Sequence, residues 1–97
     1  MTDDTLILLS ECCLQLGIDH SFVLILEERG LIKTIQQQST IYINVIELPR
    51  LEKIVRLHEE LEINLPGIEV VLDLTERIEN LQIAMTELEN KLRMYEG

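Results

Sequence analysis

From Val71 onward the apolar residues fall at Val71, Leu74, Ile78, Leu81, Met85, Leu88, Leu92 and Tyr95. The steps alternate three and four without interruption, the a/d pattern of a helix that packs along its length against another helix. An earlier amphipathic segment, Leu51 to Ile63, is expected to break at Asn64-Leu65-Pro66-Gly67 before this series begins. A helix from Ile68 to Tyr95 would be about 40 Å long at roughly 1.5 Å per residue. A compact domain of this length has a radius of gyration of only about 13 Å. Much of the helix should therefore overhang, its seam facing water at a cost of about 25 cal/mol per Å². A partner helix from a second copy relieves that cost most simply. A helix that bends back onto its own domain is the alternative.

Composition narrows the function. The chain has 97 residues, suggesting one domain, and its 46% apolar content supplies a core. Aromatic residues make up 3% and there is no Trp, too few rings for a single-strand stacking platform. The formal net charge of −10 repels phosphate backbones and favours basic partners. Asp3 and Asp4 stand where a secretion signal needs cations, the apolar run Leu6 to Leu9 is too short for one, and no stretch is long enough to span a bilayer. Cys12 and Cys13 are adjacent and poorly placed for a framework disulfide, so a cytoplasmic location is expected. Neighbouring helical residues point about 100° apart, so at most one of the two should be buried. Nothing basic nearby would lower a thiol pKa, and a structural role is expected.

Thr5 to Leu9 reads as a short strand. Ser10 is expected to cap a helix over Glu11 to Leu16, ended by Gly17. Asp19 is expected to cap a second helix reaching Arg29 and closed by Gly30. Two short helices joined by a tight turn read as a helix-turn-helix, with Leu14, Ile18, Phe22, Leu26 and Leu31 sharing one core. Lys33 to Gln37 and Thr40 to Asn44 alternate like the strands of a small hairpin, a wing, although its turn lacks Asn-Gly or Asp-Gly. Ile41, Ile43 and Val45 would face inward and Tyr42 outward, or the reverse. Asn44 and Glu47 could form a capping box, and Pro49 suits a helix's first turn.

The next helix places Leu51, Ile54, Val55, Leu57 and Leu61 among interleaved charges. Arg50, Lys53 and Arg56 alternate with Glu52, Glu59 and Glu60, a solvated face with local ion pairs. In the last helix Arg77 and Lys91 fall at g positions and Glu89 and Glu96 at e. A parallel pair would match Lys91 with the second copy's residue at position 96, an antiparallel pair would set g against g, and the pattern leans parallel.

Taken with Val55-Arg56-Leu57, Glu60-Leu61, the Pro66-Gly67-Ile68 block and Leu72, Leu74, Ile78 and Leu81, this order of elements resembles the winged-helix domain of the MerR family. Within it the chain is most similar to the chaperone-modulator branch, the CbpM-like proteins. The Pro-Gly pair would force a sharp turn, with Ile68 opening the following helix. Ser10-Glu11-Cys12-Cys13 through Glu28-Arg29-Gly30-Leu31 fits the same layout. The resemblance covers nearly the whole chain, and the amino-terminal half matches mainly in pattern. A departure is the short, acidic amino-terminal arm. The resemblance implies binding to the J domain of a DnaJ/CbpA-like co-chaperone, restraining its work with the Hsp70 DnaK and its DNA binding. An acidic competitor suits the basic helix that a J domain offers to Hsp70.

A DNA-reading helix needs arginines to reach phosphates and guanines. Asp19 to Glu28 contains none, Arg29 sits at its far end, and the wing offers Lys33 followed by glutamines. Direct nucleic-acid binding is therefore not expected, and a MerR-family DNA-binding transcriptional regulator is the alternative function. A scaffold using only its coiled coil is a third. Glu11, Asp19, Glu27 and Glu28 are candidate contacts for a basic partner, set against ordinary capping and surface roles. His20 and His58 stand apart, with His58 expected on a helix surface. No residues have Zn-ligand spacing, no nucleophile has an identifiable base, and no Gly-rich phosphate loop is present. Neither a cofactor nor enzyme activity is expected. The expectation is an α+β, mostly α chain: a MerR-like winged helix-turn-helix with its connecting helix over residues 1–65, then a long coiled-coil helix over 66–97. That last helix would form a homodimer through the eight apolar residues from Val71 to Tyr95.

Overall fold

A computed structural model of the chain describes residues 5–96, so Asp3 and Asp4 of the acidic arm lie outside the described residues. The fold is α+β and mostly α. It divides into two units, Met1–Ile63 and Asn64–Gly97.

In the first unit, strand β1 (Leu6–Leu8) leads directly into helix α1 (Leu9–Leu16), followed by α2 (His20–Glu28). Strands β2 (Ile35–Gln37) and β3 (Thr40–Asn44) form the wing, and a 3-10 turn (Val45–Glu47) leads into α3 (Leu48–Glu59). The sheet is antiparallel in the order β1-β3-β2. Ile7 pairs with Ile43, and Tyr42 sits between Leu8 and Ile35 in the register. Ile43 is fully buried. Strand alternation therefore turns Ile41 and Ile43 to the core side, while Val45 lies beyond the strand, in the 3-10 turn. Tyr42 on the other side is still half-buried between its two apolar neighbours. The Gln38-Ser39 turn has Gln38 at φ 57°, in the place where glycine would be expected.

The core consists of Leu9, Cys12, Cys13, Val23, Leu26, Leu31, Ile32, Ile43, Leu51 and Ile54. Leu14, expected among them, is 83% exposed. The reason is angular. Leu9, Cys12, Cys13 and Leu16 fall at i, i+3, i+4 and i+7, one stripe of a short helix. Its centre line passes between residues 12 and 13, which puts Leu14 well off the face. The same geometry corrects the expectation for the cysteines: straddling the line, both are buried, at 4% and 6% exposed.

Helix starts also differ from expectation. Ser10 does not cap α1, which begins one residue earlier at Leu9 with Leu8 in the cap position. Full burial of a leucine stabilises by about 1.5–3 kcal/mol, more than the roughly 1 kcal/mol of a serine cap, so burial of Leu9 decides the start. Asp19 occupies the cap position of α2, but its side chain accepts no helix N–H. Asn44 does cap the 3-10 turn, accepting from the Ile46 N–H at 3.1 Å. The expected box is not completed there. Glu47 Oε1 instead accepts from the Lys33 N–H at 3.2 Å. Pro49 lies in the first turn of α3. Arg50 Nε donates to the Leu31 carbonyl at 2.6 Å, tying the start of α3 to the loop after α2.

The amphipathic helix stops at Glu59, short of the expected Ile63, and Leu61 is exposed beyond it. Glu62 follows at φ 53°. The second unit is a single helix, α4 (Leu65–Glu96), 32 residues and about 48 Å long at roughly 1.5 Å per residue. Pro66 and Gly67 lie inside its first turn and are not the turn between helices. Proline has no N–H to leave unsatisfied, so the first turn is where a helix accepts it. Asn64 is the cap: its Oδ1 accepts from the Gly67 N–H at 2.9 Å and its carbonyl from the Ile68 N–H at 2.9 Å. Along α4, Leu74, Ile78, Leu81, Met85, Leu88, Leu92 and Tyr95 are each at least 50% exposed, while Val71 is half-buried. Arg77 pairs with Asp73 of its own helix at 3.2 Å.

Candidate functional site

Helices α1 and α2 meet at 109°, within the range of a helix-turn-helix. Their turn is Gly17-Ile18-Asp19. Gly17 adopts φ 68°, and the Ile18 N–H donates to the Cys13 carbonyl at 3.0 Å, closing α1 with a left-handed cap. α2 closes the same way: Gly30 stands at φ 74° and the Leu31 N–H donates to the Leu26 carbonyl at 2.9 Å. These two caps fix the pitch and length of α2 and hence what it turns outward.

Val23 and Leu26 face the core and are fully buried. The opposite face carries Ser21, Leu24, Ile25 and Glu28, all exposed, with Leu24 at 39% and Ile25 at 42%. This outward face has no cation. Its centre is aliphatic and its carboxyl end is acidic. The wing strands and their turn, Ile35 to Asn44, also contain no basic residue.

The four acidic candidates divide. Glu11, in the first turn of α1, and Glu28 are exposed with their charge toward water. Asp19 is exposed at the turn with its carboxylate uncommitted to capping. Glu27 is half-buried and ties two parts of the fold together. Its Oε2 accepts from the Thr34 N–H at 3.0 Å and from the Thr34 hydroxyl, joining α2 to the segment entering the wing.

Sequence reasoning placed His58 on a helix surface, yet the ring is half-buried. It stacks on Phe22 with centroids 5.0 Å apart and planes 27° apart. Nδ1 lies 3.2 Å from the Ile63 carbonyl. The signal was available, because His58 continues the stripe of Leu51, Ile54 and Val55 at i+7. Beside the pair is a cavity of about 220 Å³ lined by Gly17, Ile18, Asp19, Phe22, His58 and Glu59.

The Cys12 and Cys13 thiols are free. Burial pushes the Cys12 thiol above its ordinary pKa, and Cys13 and Glu52 add to the rise. Burial, then Asp19, raises Cys13. Neither is poised as a nucleophile. Among the described residues no group of three His, Cys, Asp or Glu side chains could hold a metal ion. No single described helix is long and apolar enough to cross a membrane.

No curated protein gives a significant match to the chain. A family model described as "MerR HTH family regulatory protein" matches residues 7–90, from the first strand through most of α4. With 84 of 97 residues covered (7 to 90 inclusive), the chain belongs to the MerR family of helix-turn-helix regulatory proteins.

Proposed function

We propose that this chain is a chaperone modulator of the CbpM-like kind: a cytoplasmic homodimer that binds the J domain of a DnaJ/CbpA-like co-chaperone. It restrains that protein's action with the Hsp70 DnaK and its DNA binding. The observation that carries the reading is the outward face of α2, where a duplex-reading helix needs cations. Ser21, Leu24, Ile25 and Glu28 stand there instead. Affinity for a duplex comes largely from neutralising phosphates, and this face has nothing to neutralise them with. Against a basic partner helix the same surface is favourable, with an aliphatic centre for burial and Glu28 for steering. By covering the J domain's basic helix the chain would deny it to Hsp70. The a/d seam of α4, exposed from Leu74 onward, supports dimerisation through Val71, Leu74, Ile78, Leu81, Met85, Leu88, Leu92 and Tyr95. No catalytic role is assigned.

The test is titration calorimetry with a purified DnaJ/CbpA-like protein from the same cell. Saturable binding is expected, weakened by about tenfold or more in Glu11→Lys plus Glu28→Lys, since each reversal turns an attraction into a repulsion. The family's description as regulatory proteins is equally compatible with a second reading, a MerR-family DNA-binding transcriptional regulator. Nanomolar binding to duplex DNA at low salt, with no binding to the co-chaperone, would establish that reading instead.

A further inference from the structure

We infer that the cavity between the helix-turn-helix turn and the end of α3 receives an arginine side chain from a partner protein. Its volume is about 220 Å³. Cofactor and drug-sized pockets run from about 300 to 1,000 Å³, so this one suits the end of a single side chain. The wall contains the stacked rings of Phe22 and His58, 5.0 Å apart. Their inner faces are turned to each other, so the outer faces and edges are what the rings can offer a planar guanidinium, by stacking and by cation–π attraction. His58 Nδ1 lies 3.2 Å from the Ile63 carbonyl, an acceptor only, so in the neutral ring Nδ1 carries the proton. Nε2 is then left as an acceptor for an incoming N–H. Two carboxylates complete the lining, Asp19 and Glu59, and no lysine or arginine joins them. Asp19 stands in a cap position without capping, so its oxygens are available to a charged donor. A carboxylate-lined aromatic cavity selects the cation, and the paired rings favour guanidinium over ammonium.

The inference deepens the proposed function, because a basic partner is what that reading supplies, but the cavity can be probed without the co-chaperone. The full chain is titrated with the peptide Ac-Gly-Arg-Gly-NH2 and followed by NMR, with the neutral citrulline peptide as isostere and the lysine peptide as comparison. Saturable shifts are expected in the Phe22 and His58 ring signals and the Gly17 and Asp19 amides. The citrulline peptide should bind at least about tenfold more weakly, the usual consequence of losing charge-assisted bonds. Asp19→Asn plus Glu59→Gln should weaken the arginine peptide by a similar factor while leaving the remaining amide spectrum in place. Equal shifts with citrulline, shifts confined elsewhere, or indifference to the double substitution would overturn the assignment. If the arginine peptide binds as described but the co-chaperone does not, the cavity stands and the proposed function falls. If the co-chaperone binds equally to wild type and the double variant, and the peptide shifts nothing, the cavity assignment alone falls.

Discussion

Glu27 and Thr34 show how a surface acid can be read two ways from sequence. In the helical run before Gly30, Glu27 and Glu28 look equivalent, yet only Glu28 remains exposed. Glu27 takes two hydrogen bonds from one threonine, seven residues along the chain. Hydrogen bonds to charged groups contribute about 1.5–3 kcal/mol, so Glu27→Ala should lower urea-unfolding stability by about that amount, and Glu28→Ala by about 0.5 kcal/mol at most. A Thr34→Val/Glu27→Ala double-mutant cycle should show coupling, and additivity would show that the pair is not energetically linked. The cysteines give a pH prediction. Both folded thiols titrate above the ordinary value, burial being the main cause. The unfolded chain therefore releases these protons first as pH rises past about 8.5. Their stabilising contribution is complete below that pH and is lost as pH climbs toward the raised folded values. Denaturation midpoints should be flat from neutral to about pH 8 and fall above it. The fall should be shallower in Cys12→Ala plus Cys13→Ala.

Among elements, those with a strong period were legible and those set by competition at a boundary were not. The long helix α4, the helix-turn-helix and the wing follow from spacing and turn residues. The starts of α1 and α4 do not, because each depends on which residue wins a local contest. Leu9 is buried and displaces Ser10 from the cap position, and Pro66 enters the first turn of α4 because that turn has no need of its N–H. The cavity was less legible still, since it is made by residues distant in sequence. His58 had a periodic signal, but nothing in the sequence paired it with Phe22. At this scale Asn64→Ala should cost about 1 kcal/mol by removing the cap, measurable as a lower urea midpoint with unchanged slope. Leu81→Glu with Leu88→Glu should reduce the mass measured by light scattering to that of one chain if the seam pairs two copies. Each exposed leucine that becomes buried there contributes about 1.5–3 kcal/mol to association.

For the molecule as a whole, charge sets the conditions under which each partner is seen. One chain carries −10, so two copies carry −20 (twice −10) and repel as they approach. Added salt screens that repulsion over about 10 Å at 0.1 M and screens attraction to a basic partner equally. Raising salt from about 50 to 500 mM should therefore tighten self-association while weakening co-chaperone binding, a divergence visible by comparing sedimentation with calorimetry. The same change in both would place hydrophobic burial in control of both.

Gln38 at the wing tip has one more implication. It stands at φ 57°, a backbone region that costs an ordinary residue about 1–2 kcal/mol relative to glycine or asparagine. A chain selected for robustness alone would have had an easy improvement at this corner. Gln38→Gly should therefore raise the urea midpoint, and an unchanged midpoint would show that the turn carries no such cost.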